Sequence, residues 1–422
     1  MDHQPSIVPA PKRLRVAFVT THFSPKLAGY ADVALPRAMA GLGVEVHVIA
    51  ANLNPYYSLP EYHSTYEPFL GPAVTGCGTE EVFGYTLHRL PHVLVRRRIY
   101  IKNLAATLTA IRPQIVHTWT ASQLATLQAA VLQPLLGFRL FTAQHICASV
   151  FPLATKANPG WGEWGRNLLG SYLWGRCVSW VTTRCYPATP DCLDIAVRFC
   201  GVQRKKCSLR SLGVDTARFR PAVGAALTAE REEMRTRLGF GPGEIVCLYT
   251  GRFSPDKNPL SLGKAVGGLR AAGLPFRGLF VGDGMQREAI ARCDGCAILG
   301  FVRYEELPPY YRAADIGVWP TQESASMLDA AASGLPIVVS DRLVARERVD
   351  TNGLTYAEGN IADLERVLSQ LGDAERRAKM GRAGVKKMVE QFSWDAVARR
   401  TLDDFSGALA AGGRPASAME IP

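Results

Sequence analysis

WPTQESASMLDAAASGLPIVVSD, residues 319–341, is the stretch on which the fold turns. It begins as the end of a buried-type run (DIGVWP, 315–320), crosses a Ser-rich turn and enters an Ala-rich helix. It leaves through Gly334 and Pro336 into a second β-branched run, PIVVS. A small-residue turn opening a helix presents free backbone N–H groups and the positive end of the helix dipole, where a phosphate or diphosphate is held. Glu323 before the turn and Asp329 in the first helical turns add two carboxylates, acceptors suited to sugar hydroxyls.

The same alternation extends in both directions. IVCLYTG (245–251), FRGLFVGDG (276–284) and CAILGFV (296–302) read as strands separated by helical segments such as PLSLGKAVGGLRAAG and ELPPYYRAA. RKKCSLRSLGVDTARFRP (204–221) marks the crossing from an earlier unit of the same kind. That unit opens with LRVAFVT (14–20), the loop THFSPKLAGY, a helix from about Asp32 to Leu42 and EVHVIA (45–50), the start of a doubly wound α/β domain. Residues 51–84 read as an irregular surface insertion, YTLHRLP (85–91) as a strand and RRRIYIKNLAATLTAIRP (96–113) as a basic helix. QIVHTWT (114–120) and RLFTAQHI (139–146) each deliver a histidine at the carboxyl end of a strand. SWVTTRC (179–185) closes the unit, and FSWDAVARRTLDDFSGALA (392–410) is a last helix expected to return to it. The expected division is a flexible leader 1–13, a Rossmann-like domain 14–210, a second one 211–392, a crossover helix 393–410 and a flexible tail 411–422. Two such domains facing a cleft suit an enzyme.

Composition narrows the partners. Of 422 residues, 48 are Lys or Arg and 37 Asp or Glu, a formal charge of +11. That balance favours anionic ligands or acidic membrane surfaces; no nucleic-acid-binding signature accompanies it. No run of about 18 apolar residues exists and the N-terminus lacks an apolar signal core, so a cytoplasmic protein is expected. The ten cysteines read as buried thiols; Cys293 and Cys296 form a lone C-x-x-C, short of a zinc site. Trp161, Trp164, Leu168, Tyr172 and Trp174 recur at roughly helical spacing with Arg166 and Arg176 between them. They form either an aromatic face packed on the core or one that meets lipid.

Chemistry gathers at strand ends. In GRFSPDKNP (251–259), Arg252 offers bidentate donors and Lys257 a point charge, a pairing suited to a diphosphate. Gly29 sits where a loop must turn closely under the first sheet. In LGFV (299–302), Gly300 lies at a strand end where backbone can hydrogen-bond a flat base edge. His145 ends its strand, whereas His47 and His88 lie in strand bodies.

Taken together, LGVDTARFRP, GRFSPDKNP, VGDGMQREAI, LGFVRYEELPPYYRAADIGVWP, LDAAASGLPIVVSD, NGLTY and the terminal FSW resemble the retaining, nucleotide-sugar-dependent glycosyltransferases of family 4, which have the GT-B fold. The resemblance implies that Arg252 and Lys257 bind the donor diphosphate, that Asp329 matches the second acidic residue of the family's E-x7-E motif and holds the ribose, and that the amides near Ser326 and Met327 cradle phosphate. Gly300, Phe301 and Val302 would meet the base. Gly29 matches the second glycine of an N-terminal Gly-Gly loop, with Ala28 in place of the first, and His145 a histidine near the reaction centre. One departure stands out. Glu323 and Asp329 are separated by five residues, not seven, so Glu323 would reach the donor sugar by a different route or not at all. The implied activity is transfer of a sugar, with retention, from a nucleoside-diphosphate sugar to a hydroxyl of a glycan or lipid-linked acceptor, in polysaccharide or glycolipid synthesis. No D-x-D motif stands at a strand end, so no metal or other cofactor is expected. Peripheral contact with the anionic inner face of the membrane fits the charge. The alternatives are a catalytically silent GT-B subunit, a GT-B nucleotide-sugar epimerase and, weakly, a dinucleotide oxidoreductase, for which no G-x-G-x-x-G follows LRVAFVT or IVCLYT.

Overall fold

The computed structural model describes residues 13–412 apart from 61, 97, 149, 150, 152, 155, 157, 158, 322 and 323. The leader up to residue 12, the tail from 413 and Glu323 therefore lie outside the described residues. Among the described residues, fifteen strands follow in chain order: β1 (Arg15–Thr20), β2 (Glu45–Ala51), β3 (Gly78–Val82), β4 (Tyr85–Leu90), β5 (His92–Val95), β6 (Arg98–Ile101), β7 (Ile115–Thr118), β8 (Arg139–Gln144) and β9 (Thr182–Pro187), then β10 (Ile245–Thr250), β11 (Phe276–Val281), β12 (Cys296–Leu299), β13 (Ile316–Trp319), β14 (Ile337–Ser340) and β15 (Gly353–Tyr356). They form a seven-stranded sheet in the order β3-β4-β2-β1-β7-β8-β9, a six-stranded sheet in the order β12-β11-β10-β13-β14-β15, and a β5-β6 hairpin.

Helices pack against the large sheets, and the central strands are apolar on both sides; every residue of β10 is buried. Only β3 runs antiparallel in the large sheets, at the edge of the first. The strand order reverses between β1 and β7 in one sheet and between β10 and β13 in the other. Ligands of such sheets bind outside the carboxyl ends of the strands at these reversals.

The last helix, Trp394–Gly412, belongs to the first sheet although it follows the second. Trp394, Val397, Ala398 and Phe405 join a core cluster with Phe18, Val33, Met39 and Phe141. Asp404 accepts from Arg184 at 2.6 Å, from Arg210 at 2.5 Å and from the Tyr186 hydroxyl at 3.0 Å. The helix runs on through Gly412, past the boundary expected at 410. The two passages of chain between the sheets lie side by side: Val214 N donates to Phe392 O at 2.8 Å, and Trp394 N donates back to Val214 O at 3.2 Å.

Three local expectations need correction. Within the insertion at 51–84, residues 78–82 form β3; GTEEV is exposed along an edge and carries no apolar alternation to betray it. The basic helix expected at 96–113 starts only at Leu104, because Arg98–Ile101 pairs with His92–Val95 as β6. His117 does not end its strand. It lies inside β7, 1% exposed, packed against Phe18 and Trp119.

Candidate active site between the two sheets

At the reversal of the second sheet, the loop after β10 is stitched to the turn after β13. Gly251 holds a φ of +146°, and the loop returns through Phe253 N to Asp283 O at 2.8 Å. Thr321 Oγ1 donates to Asp256 O at 2.7 Å, Ser326 Oγ to Thr250 O at 3.4 Å, and Trp319 Nε1 to Ser326 Oγ at 3.0 Å. Residues some 70 positions apart in sequence therefore form one rigid rim.

A cavity of about 640 Å³ opens beside this rim. His145 and Cys147 line it from the first sheet; Asp256, Thr321, Ser324 and Ala325 line it from the second. Burial pushes the His145 imidazole down to about 4, so it stands in the cleft as a neutral hydrogen-bonding group, tilted against Trp119 at 5.6 Å. Arg252 is exposed beside Asp256, with 4.0 Å between their charged atoms. Lys257, on the same loop, is close enough to the far wall that its charge helps lower the Cys147 thiol. Of the three, only His145 lines the cavity; the loop that carries Arg252 and Lys257 reaches its wall through Pro255 and Asp256, and neither cation is itself on that wall.

The remaining predicted positions divide. Asp329 is 7% exposed, and burial, then the nearby charge of Asp215, raises its carboxyl well above the carboxylate range, while the Tyr304 hydroxyl hydrogen-bonds it. The amides of the Ser326 turn are already engaged: Ser326 N donates to Ser324 Oγ at 3.3 Å and Met327 N to Ser324 O at 3.3 Å. The Met327 side chain is core. The close approach at Gly29 is made by the Tyr304 ring, which a Cβ there would overlap. Gly300, Phe301 and Val302 follow β12, the outermost strand of its sheet, and lie off the cavity wall; Phe301 is 64% exposed.

The family described as "Glycosyl transferases group 1" matches residues 244–373, the span that holds the stitched rim, Arg252, Lys257 and Asp329. The chain carries a group 1 glycosyltransferase domain. A D-inositol 3-phosphate glycosyltransferase of Nocardia farcinica is 33% identical over 234 residues, 50% of each chain. A GDP-mannose-dependent α-(1-6)-phosphatidylinositol monomannoside mannosyltransferase of Mycobacterium tuberculosis is 29% identical over 217 residues, 46% of this chain and 54% of that protein. The match spans about half the length of these relatives. Sucrose-phosphate synthase of Thermosynechococcus elongatus superposes on 94% of this chain and 100% of its own with a TM-score of 0.66 at 17% identity, and the fold is GT-B. The resemblance read from the motifs is borne out.

Sequence reasoning missed several residues that the glycosyltransferase domain and its partner sheet bring to this region. Arg348, from a short turn after β14, lines the cavity while 2% exposed. Cys147, Asp191 and Cys192 offer donor atoms within 4.8 Å of one another on the opposite wall. Asp32 and His22 line a second cavity of about 340 Å³ beside Tyr30 and Tyr56, whose hydroxyls are hydrogen-bonded. Burial raises Asp32 to about 7 and lowers His22. A sequence signal existed only for Asp32, an acidic residue in the first turn of a helix following a strand-end loop.

Proposed function

We propose that the chain transfers a sugar from a nucleoside-diphosphate sugar to an acceptor hydroxyl with retention at the anomeric carbon. The observation that carries this is the joining of the Arg252–Lys257 loop to the Ser326 turn at the reversal of the second sheet, across one cavity from His145. As the glycosidic bond breaks, the diphosphate gathers negative charge. Arg252 and Lys257, fixed beforehand on a braced loop, meet that charge without reorganising, which is where the largest catalytic gain arises. The neutral His145 orients the sugar or the incoming hydroxyl, and the departing phosphate oxygen takes the acceptor proton on the same face. Asp329, behind the Ser326 turn, would hold the ribose through its carboxyl oxygens, acceptors suited to a diol. Closure of the two sheets on the donor keeps water from the reacting carbon. No metal is required in this scheme, since the charge is met by side chains.

The acceptor is proposed to be a glycan or lipid-linked glycan approached from the first sheet, in polysaccharide or glycolipid synthesis. The names of the relatives favour transfer over a silent subunit or an epimerase. A screen of UDP, GDP and ADP and their sugars by melting temperature identifies the donor. Turnover of that donor with an acceptor should fall at least about a hundredfold in Arg252→Ala and Lys257→Ala, in line with loss of a pre-aimed donor to developing charge. NMR of the product should give the anomeric configuration of the donor. Undiminished turnover in both variants, or an inverted product, would overturn the scheme.

A further inference from the structure

Taking a cation out of water is costly unless an opposite charge or a full set of hydrogen bonds replaces the lost hydration. Among the described residues three cationic side chains are buried: Arg312, Arg348 and Lys387. Arg312 is paired with Glu230 at 2.5 Å, and Lys387 with Asp350. Arg348 has no carboxylate within ion-pair reach among the described residues. Its Nη2 donates to Ser211 Oγ at 3.3 Å, and its Nε is enclosed without a partner.

Arg348 also lines the cavity between the sheets. Among the described residues, the carboxylates that share this wall are committed elsewhere. Asp191 accepts from Ala148 N at 2.9 Å and from Thr189, Asp256 pairs with Arg252, and Glu358 accepts from Ser340 Oγ at 2.6 Å. Arg348 comes from the loop after β14, on a different wall segment from the Arg252–Lys257 loop that faces the donor diphosphate. A planar guanidinium whose Nε has no partner matches a carboxylate or phosphate in two-point fashion. We infer that Arg348 recognises an anionic substituent, a carboxylate or a phosphate, on the sugar or acceptor that enters the cleft. This rests on the transfer reading above and adds a substrate class to it: one reactant is a charged sugar or a charged polyol.

The test uses the full chain and its Arg348→Gln, Arg348→Lys and Arg348→Met variants. UDP, GDP and ADP are titrated first by calorimetry. The nucleotide that binds should do so within about twofold in all four proteins, because its diphosphate is held elsewhere. Paired probes differing only in charge follow. The neutral hexose and the uronate on that nucleotide report on the donor; inositol against inositol 3-phosphate, and glucose against glucuronate, report on the acceptor side. Wild type should prefer the charged member of one pair by about tenfold to a hundredfold, as for a hydrogen-bonded charge. The preference should vanish in Arg348→Gln and survive in part in Arg348→Lys. Arg348→Met should melt higher than wild type without ligand, since an uncompensated charge is removed, whereas an arginine serving only the fold would leave it lower. Equal binding within every pair in wild type, persistence of the preference in Arg348→Gln, or equal loss of the bare nucleotide would overturn the inference. If no nucleotide binds, the transfer reading fails, while the free charged and neutral pairs still decide Arg348.

Discussion

Asp32 and Cys147 show how surroundings set chemistry one side chain at a time, burial for the first and a hydrogen bond for the second. Asp32 keeps its proton up to about pH 7 in the folded chain, against 3.8 for the free group. Between those values the native state binds a proton that the unfolded chain has lost, so its contribution to stability declines as pH rises through that window, by at most about 1.4 kcal/mol per unit. His117 and His145 act oppositely. Burial holds both neutral, and they cost stability as pH falls below 6.5. The difference in melting temperature between wild type and Asp32→Asn isolates the carboxyl: it should shift in favour of the variant from pH 4 to pH 7, and parallel curves would refute the assignment. Cys147 is the second case. A hydrogen bond from Cys192, aided by the charge of Lys257, lowers its thiol, and it faces the cleft, whereas burial raises Cys247 and Cys296. Iodoacetamide should modify Cys147 before these two, and a nucleoside diphosphate that fills the cleft should slow it; mass spectrometry of the labelled peptides reads both.

Among the elements, the strands were the most legible part. Runs such as IVCLYT and PIVVS could only be strands covered on both faces, and the alternation of strand and helix implied two parallel sheets. His145 and the Arg252–Lys257 loop were legible because they end such strands. What escaped lacked a local signal. β3 is polar at a sheet edge, and β6 hides behind a run of arginines. Arg348, Cys147 and Cys192 matter only through neighbours far away in sequence, which no window reveals. Likewise, nothing local shows why Gly213 is glycine. A Cβ there would stand 2.6 Å from the Trp394 ring, where the two passages between the sheets are hydrogen-bonded. Gly213→Ala should therefore destabilise the chain by about 1–3 kcal/mol through overpacking, measured by urea unfolding. Trp394→Ala in the same chain should absorb most of that increment. An unchanged midpoint in Gly213→Ala would show that the ring has room to move.

On the scale of the whole molecule, the surface is uneven. The exposed side chains of Leu94, Val95 and Tyr100 on the β5-β6 hairpin, and of Leu168, Leu169 and Leu173 on the helical segment beside it, are tied together by Arg98, which donates to Gly170 O and lies 4.9 Å from the Trp174 ring. Trp161 is 94% exposed, while Trp164 stacks on Phe199 at 5.6 Å, so the aromatic segment both packs and protrudes. No described helix is long and apolar enough to cross a membrane. We expect this face to rest on an anionic bilayer: co-sedimentation with phosphatidylglycerol vesicles should weaken with added salt, and should fall in a Trp161→Ser, Leu169→Ser double variant. Binding that ignores both salt and these substitutions would leave the patch without that role. The return of the Trp394–Gly412 helix to the first sheet carries a consequence for synthesis. A nascent chain leaving the ribosome cannot seal the core around Phe18 and Phe141 until Val397 and Phe405 have emerged, so the half made first is the half completed last.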